Sequence, residues 1–246
     1  MTSKNFFIGM LCLGALLLTI SSVVAQQRRV TRAEVVRLEE GANAKLKKLS
    51  YRVKTSEFRF IDQKTPWFTS TTTREILMPD RWHVVSEFSI SNKASHCEYI
   101  GIGATVFSKD GNDAWNISYE PGLFPLEPGN DLELQSLKGP VVTYEDLYLG
   151  EQSLNGVVCD MYRMRARLTN PFDGFDHCMR SIKTLWFDKK GRLLKKQVEA
   201  SDHIFTASEK LSLKAFDPAF TYDKKSGEAT IEYEYDVPIK IEAPIK

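Results

Sequence analysis

Four histidines and four cysteines are the residues of this chain best suited to metal or nucleophilic chemistry. Two of the histidines directly precede cysteines, as His96-Cys97 and His177-Cys178. Two imidazoles and two thiolates would make a zinc ligand set. The flanking residues read as strand, however, and adjacent strand residues point to opposite faces, so neither dipeptide offers both side chains to one ion. No metal and no cofactor is expected, and His83 and His203 stand apart from both pairs. The chain has no G-x-S-x-G elbow, phosphate-binding glycine loop, dinucleotide fingerprint or H-E-x-x-H helix, so no catalytic residue is assigned and a non-enzymatic role is expected. Arg163, Arg165 and Arg167 would share one strand face. That row could hold an anion, but its ordinary fate is solvent exposure with acids on the neighbouring strand.

The elements that must position these residues are mostly strands. From Tyr51 the hydrophobic period drops to about two, and 51–61, 68–78, 82–90, 97–101, 105–108 and 114–118 read as strands. Turn signals separate them at Thr65-Pro66, Pro79-Asp80, Ser91-Asn92 and Asp110-Gly111-Asn112-Asp113. With no helix between them, the strands must run antiparallel. Trp82, Val84, Phe88 and Ile90 fall on one face of their strand, which is core or pocket lining. After a further strand over 141–149, a meander occupies 155–200. It opens on Asn155-Gly156 and places Val158, Tyr162, Met164, Ala166 and Leu168 on one face and Cys159 with the three arginines on the other. A last strand covers 229–235, and 239–244 continues extended.

Two segments break the strand rhythm. Thr31-Arg32-Ala33-Glu34 is a capping box that starts a helix, with Val35, Leu38, Ala42, Leu46 and Leu49 on one side and Glu39, Glu40, Lys45, Lys47 and Lys48 as a solvated face. Residues 119–140 are rich in Pro and Gly around Leu123-Phe124, which reads as a long loop with at most a short helix over 130–137. An apolar flap over a pocket is one reading of it, a packed connection the other. Residues 207–216 fit either a strand or a short helix.

The first 25 residues read as a leader. Lys4 precedes an uncharged apolar stretch over 6–24 that ends in Val23-Val24-Ala25, a small-residue cleavage pattern. Residues 26–246 are then one exported domain, periplasmic or secreted. Losing Lys4 leaves 32 basic residues against 32 acidic ones, a balance that argues against nucleic acid as a partner. Export makes one disulfide natural among Cys97, Cys159 and Cys178, and the three pairings stay open.

One resemblance spans most of this exported part. Asn155-Gly156-Val157-Val158-Cys159-Asp160-Met161-Tyr162 and the run Leu185-Trp186-Phe187-Asp188-Lys189-Lys190-Gly191-Arg192-Leu193-Leu194-Lys195 resemble signatures of the LolA-like superfamily of periplasmic lipoprotein carriers. Residues 75–84, Leu149-Gly150 and Tyr233-Glu234-Tyr235-Asp236 with Ile239-Lys240-Ile241 look similar as well. The resemblance implies an α+β fold: a strongly curved antiparallel sheet, an unclosed β-barrel, with an N-terminal helix and short helices on its concave side. It also implies an apolar cavity that binds lipid or acyl chains, with a lipid or acylated protein as partner and transient contact with a membrane surface. Trp82, Val84, Phe88, Tyr162, Met164, Leu123 and Phe124 are the candidates for lining that cavity. A module of the same fold that senses stress or binds an envelope protein is the alternative, and an exported hydrolase a weaker one.

Overall fold

The computed structural model describes residues 27–60, 65–123, 141–172, 175–205 and 224–244; the side chains of 141–143, 167–179, 202–205 and 224 lie outside that description. Residues 1–25 expected to form a leader, Phe124 and the rest of the Pro/Gly-rich loop to 140, and the ambiguous segment 207–216 therefore lie outside the described residues.

The described chain forms one antiparallel sheet of twelve strands and one helix. The strands are β1 (Arg28–Arg29), β2 (Tyr51–Phe60), β3 (Pro66–Leu77), β4 (Arg81–Ile90), β5 (Lys93–Ile102), β6 (Thr105–Asp110), β7 (Asn116–Tyr119), β8 (Val141–Leu154), β9 (Val157–Phe172), β10 (Phe175–Asp188), β11 (Leu193–Phe205) and β12 (Lys224–Tyr235), and the helix is α1 (Arg32–Leu46). Strands β2 to β7 make one meander and β8 to β12 another. They join where β12 pairs with β2, giving the order β1-β8-β9-β10-β11-β12-β2-β3-β4-β5-β6-β7. β1 and β7 are its two edges and do not pair, so the barrel stays open.

Local chemistry explains the tight connections. Ser91 and Asn92 (φ 49 and 67) and Asn155 and Gly156 (φ 51 and 80) each put two consecutive residues in the left-handed region. That matches the type I′ turn whose twist suits a two-residue hairpin, and Asn and Gly tolerate it best. Several strands run past the limits that periodicity suggests; β9 continues to Phe172 and β10 begins at Phe175, because their ladder persists beyond the apolar alternation.

α1 lies on the concave face. Thr31 caps it, its Oγ1 accepting the Glu34 amide at 3.2 Å. The Glu34 carboxylate sits 3.5 Å from the Arg28 guanidinium. Val35 and Ala42 bury against Met164, Leu185, Phe187 and Leu193, while Leu46 buries with Tyr51, Val53, Ile76, Trp82, Val84, Val106 and Ile231. Side chains from β9 through β6 thus converge on one 15-residue helix, about 22 Å long, and the sheet must curve around it. Helix formation ends before Leu49, so that residue is not on the packed face. The convex face has its own cover: Ile241, 3% exposed, packs with Ile239 on Ile100, Phe107 and Trp115.

Two expectations need correction. The first concerns Glu39, which does not belong to a solvated face: four residues after Val35 and three before Ala42, it falls on the buried side of α1. The other is the disulfide. Cys97 and Cys159 both carry free thiols, and each pairing of the three cysteines requires one of them. Register gives the reason for the adjacent pair: Cys159 stands opposite Asp188 whereas Cys178 lies ten residues earlier on β10, about 33 Å of strand away.

Candidate functional site

Register sorts the concave face of β2–β5 into rows. Nearest the end of α1 lies an apolar row, Tyr51, Ile76, Trp82 and Gly101. The Trp82 indole rests directly on Gly101, where a Cβ would come within 2.1 Å of Cε2, so only glycine fits there. The next row is Val53, Arg74, Val84 and Tyr99, followed by Thr55, Thr72, Ser86 and Cys97. Beyond these come Glu57, Ser70, Phe88 and Ser95, then Arg59, Phe68, Ile90 and Lys93. Strand parity alone builds this layering.

α1 covers the first row and leaves the last ones open. Trp82 and Val84 are buried in the core, but Tyr99 and Ile90 on the same face are exposed to 37% and 45%. Phe88 and Phe68 are half-buried. Within the middle rows Thr72 Oγ1 and Ser86 Oγ lie 3.0 Å apart, and Cys97 bonds to Ser86 and Tyr99. Burial, helped by the Asp110 charge, pushes the Cys97 thiol up, which opposes nucleophilic use of it.

On the other half of the face, α1 is held by charge as well as by packing. Lys183 Nζ on β10 and Lys196 Nζ on β11 donate to the two carboxylate oxygens of Glu39 at 2.8 and 3.0 Å, with all three side chains nearly buried. Burial by itself would raise the Glu39 pKa, but the charges and hydrogen bonds of the two lysines outweigh it and hold the carboxyl below its usual range. Arg32 makes a two-pronged contact to buried Asp146, Nε at 3.1 Å and Nη2 at 3.0 Å. Tyr162 and Met164 lie beneath this part of the helix. The structure therefore places the cavity candidates in two groups, Trp82 with Val84 and Tyr162 with Met164, and Tyr233 touches both. Phe88 stands farther along, and Leu123 is exposed at the end of a described segment.

The residues that carried the family resemblance build a knot rather than a site. Asp188 Oδ1 accepts the amides of Lys190 and Arg192 at 2.9 and 2.7 Å, and Oδ2 accepts Arg192 Nε at 2.7 Å. Arg192 then stacks on Tyr235, 4.7 Å from its ring centre, and bonds to Asp236 at 3.0 Å, while the Tyr235 hydroxyl donates to Leu193 O at 2.8 Å. Gly191, at φ 68, completes the β10–β11 turn.

The remaining sequence candidates are answered on the convex face. Arg165 pairs with Glu145 directly across β8–β9 at 2.6 Å, the neighbouring acid of the ordinary reading, but it is half-buried rather than solvent-exposed. The Arg167 side chain lies outside the described residues. His83 Nε2 meets Glu98 at 2.8 Å within a ladder that continues through Glu75 and Arg52 to Glu234. His96 and Cys97 sit on opposite faces, and among the described residues no group of three His, Cys, Asp or Glu could hold a metal ion. The side chains of His177, Cys178 and His203 lie outside the description. A groove of about 960 Å³ lined by Glu87, Phe88, His96, Asp110 and Asp113 opens beside the β3–β5 hairpins, its lining about evenly polar and apolar. Sequence reasoning missed Glu39, Lys183, Lys196 and Arg74; Glu39 gave a signal, a charge at a core-facing helical step, whereas Arg74 follows Ser70 and Thr72 on its face and gave none.

No family model matches the chain, and no curated protein matches it in sequence. Among solved structures the chain is similar to LprF from Mycobacterium bovis, at 14% identity and a TM-score of 0.42, over 88% of this chain and 99% of that one.

Proposed function

We propose that this is an exported, non-catalytic protein of the bacterial cell envelope that binds acyl chains on the concave face of its open sheet. The observation that carries this reading is the end of that face that α1 does not cover, where Ile90 and Tyr99 are exposed and Phe68 and Phe88 only half-buried. Exposed apolar groups on a concave surface favour a ligand that completes their burial. Burying about ten methylenes at roughly 0.8 kcal/mol each contributes about 8 kcal/mol before ordering costs, which gives useful affinity without a polar motif. In this reading α1 acts as a fixed wall, Trp82 and Val84 form the floor, and Tyr162 and Met164 support the helix from below. Lipids and acylated proteins are the partners that such a surface fits, and contact with a membrane surface delivers them.

The test is extraction of the purified protein for mass spectrometry, with displacement of a fluorescent acyl ester alongside. Bound lipid and saturable displacement are expected. No extracted lipid and no competition would refute the reading. Capture of an envelope protein in crosslinked cells without lipid exchange would instead support the alternative of an interaction or sensing module.

A further inference from the structure

On the concave face of β2–β5 one half-buried cation has a buried donor atom whose hydrogen bond is unmade. Arg74 projects from β3 between Val53 and Val84, and its Nη1 is buried with no partner among the described residues. Burial pulls the guanidinium below arginine's usual value, with the nearby Tyr51 and Tyr233 phenols opposing it. Thr55, the diagonal neighbour of Arg74 on the same face, also has its hydroxyl buried without a partner. The buried or half-buried cations around it are answered by acids, Lys183 and Lys196 by Glu39, Arg32 of α1 by Asp146 and Arg59 by Glu57, and Lys93 at the end of the last row is solvent-exposed. Buried donors in natural proteins are almost always paired, and a buried charge left short of partners is costly. Two such atoms on diagonal neighbours of adjacent strands mark a place where an acceptor is missing.

We propose that Arg74 and Thr55 form the headgroup site for an unesterified fatty acid and bind its carboxylate. This rests on reading the concave face as the acyl-binding surface. A carboxylate presents two acceptor oxygens, one for Arg74 Nη1 and one for the Thr55 hydroxyl. A single half-buried cation with an unmade bond matches a single negative charge; a phosphomonoester would bring a second charge to rows whose other cations are Arg59, paired with Glu57, and the solvent-exposed Lys93. The chain then runs from Arg74 past Thr72 and Ser70 to Phe68, about 20 Å of strand, with Phe88 and Ile90 beside it.

The experiment uses the delipidated full chain and displacement of a pyrene-labelled fatty acid methyl ester by oleate, methyl oleate and oleoyl lysophosphatidate. Wild-type protein is expected to prefer oleate to methyl oleate by at least about tenfold, and to bind lysophosphatidate no better than oleate. Arg74→Met is expected to abolish the preference while leaving methyl oleate within about twofold of wild type. Equal competition by oleate and its ester in wild type, a preference that survives in Arg74→Met, or stronger binding of lysophosphatidate overturns the proposal. Should Arg74→Met fail to fold, Thr55→Val serves: a loss of about threefold or more for oleate with the ester unchanged supports the proposal, and unchanged oleate affinity overturns it. Binding of the methyl ester without any preference fails only this assignment, whereas no binding of either ligand fails the acyl-binding reading itself.

Discussion

Under α1 the strands β9–β11 bury Lys183 and Lys196 against the carboxylate of Glu39, whereas on β2–β5 the same face holds a half-buried Arg74 with Val53 and Val84 across from it and no paired acid among the described residues. Both halves are walls of one sheet, and both carry a charge on its concave face. The difference lies in what covers them. α1 brings its own counter-charge, so the first half is closed within the chain. The second half lies beyond the reach of the helix and keeps Tyr99 and Ile90 exposed. A buried ion pair is weak evidence for stability but good evidence for a fixed arrangement. In the proposed reading the first half is scaffold and the second is the surface that takes the ligand.

The largest effect is expected from breaking the scaffold half. Glu39→Gln removes the carboxylate charge that the nearly buried Lys183 and Lys196 share and is expected to cost about 3–5 kcal/mol in urea unfolding. Replacing Glu39, Lys183 and Lys196 together by Met is expected to cost far less. A triple variant as unstable as the single one would contradict the role given to charge. Next comes the floor of the open half. Gly101→Ala pushes a methyl group into the Trp82 ring and is expected to lose about 1–3 kcal/mol, with a change in tryptophan emission that reports the displaced indole.

Acid separates the halves by another route. The Glu39 and Asp188 carboxyls both lie below their ordinary values, because lysine charges in one case and Arg192 bonds in the other outweigh the upward pull of burial. Their stabilisation is complete above the unfolded values of 4.5 and 3.8 and is lost as pH falls through the lower folded values. Stability measured from pH 6 downward should therefore fall below about pH 4.5, and the fall should be shallower in the Met triple variant. A smaller effect, about 1 kcal/mol, is expected for Thr31→Ala, which removes the helix cap. The smallest belongs to the convex face, where a double-mutant cycle on Arg165 and Glu145 should give a coupling under about 1 kcal/mol.

The fold was largely legible in the sequence for local reasons. Thr31 before an amphipathic run, Asn155-Gly156 and Ser91-Asn92 between alternating segments, and apolar parity from Trp82 to Ile90 each have one dominant physical reading. The site was less legible, because it depends on what faces what across strands far apart in the chain. Lys183 and Lys196 look like surface lysines until Glu39 is placed above them, and Arg74 looks like part of a polar strand until Val53 and Val84 are seen on either side. The resemblance runs around Asp188 and Tyr235 pointed to the fold for a reason now visible: they tie the β10–β11 turn to the last strand. The disulfide expectation failed because compartment chemistry says that thiols can oxidise, not that they meet.

The central claim is that the uncovered end of the concave face holds an acyl chain, and the most direct measurement is photocrosslinking with a fatty acid that carries a diazirine near its tail, followed by peptide mapping. Adducts on the segments containing Phe68, Phe88 or Ile90, competed away by unlabelled oleate, are the expected result. Adducts confined to convex-face residues such as His83 and Glu98, or none that oleate competes, would contradict it.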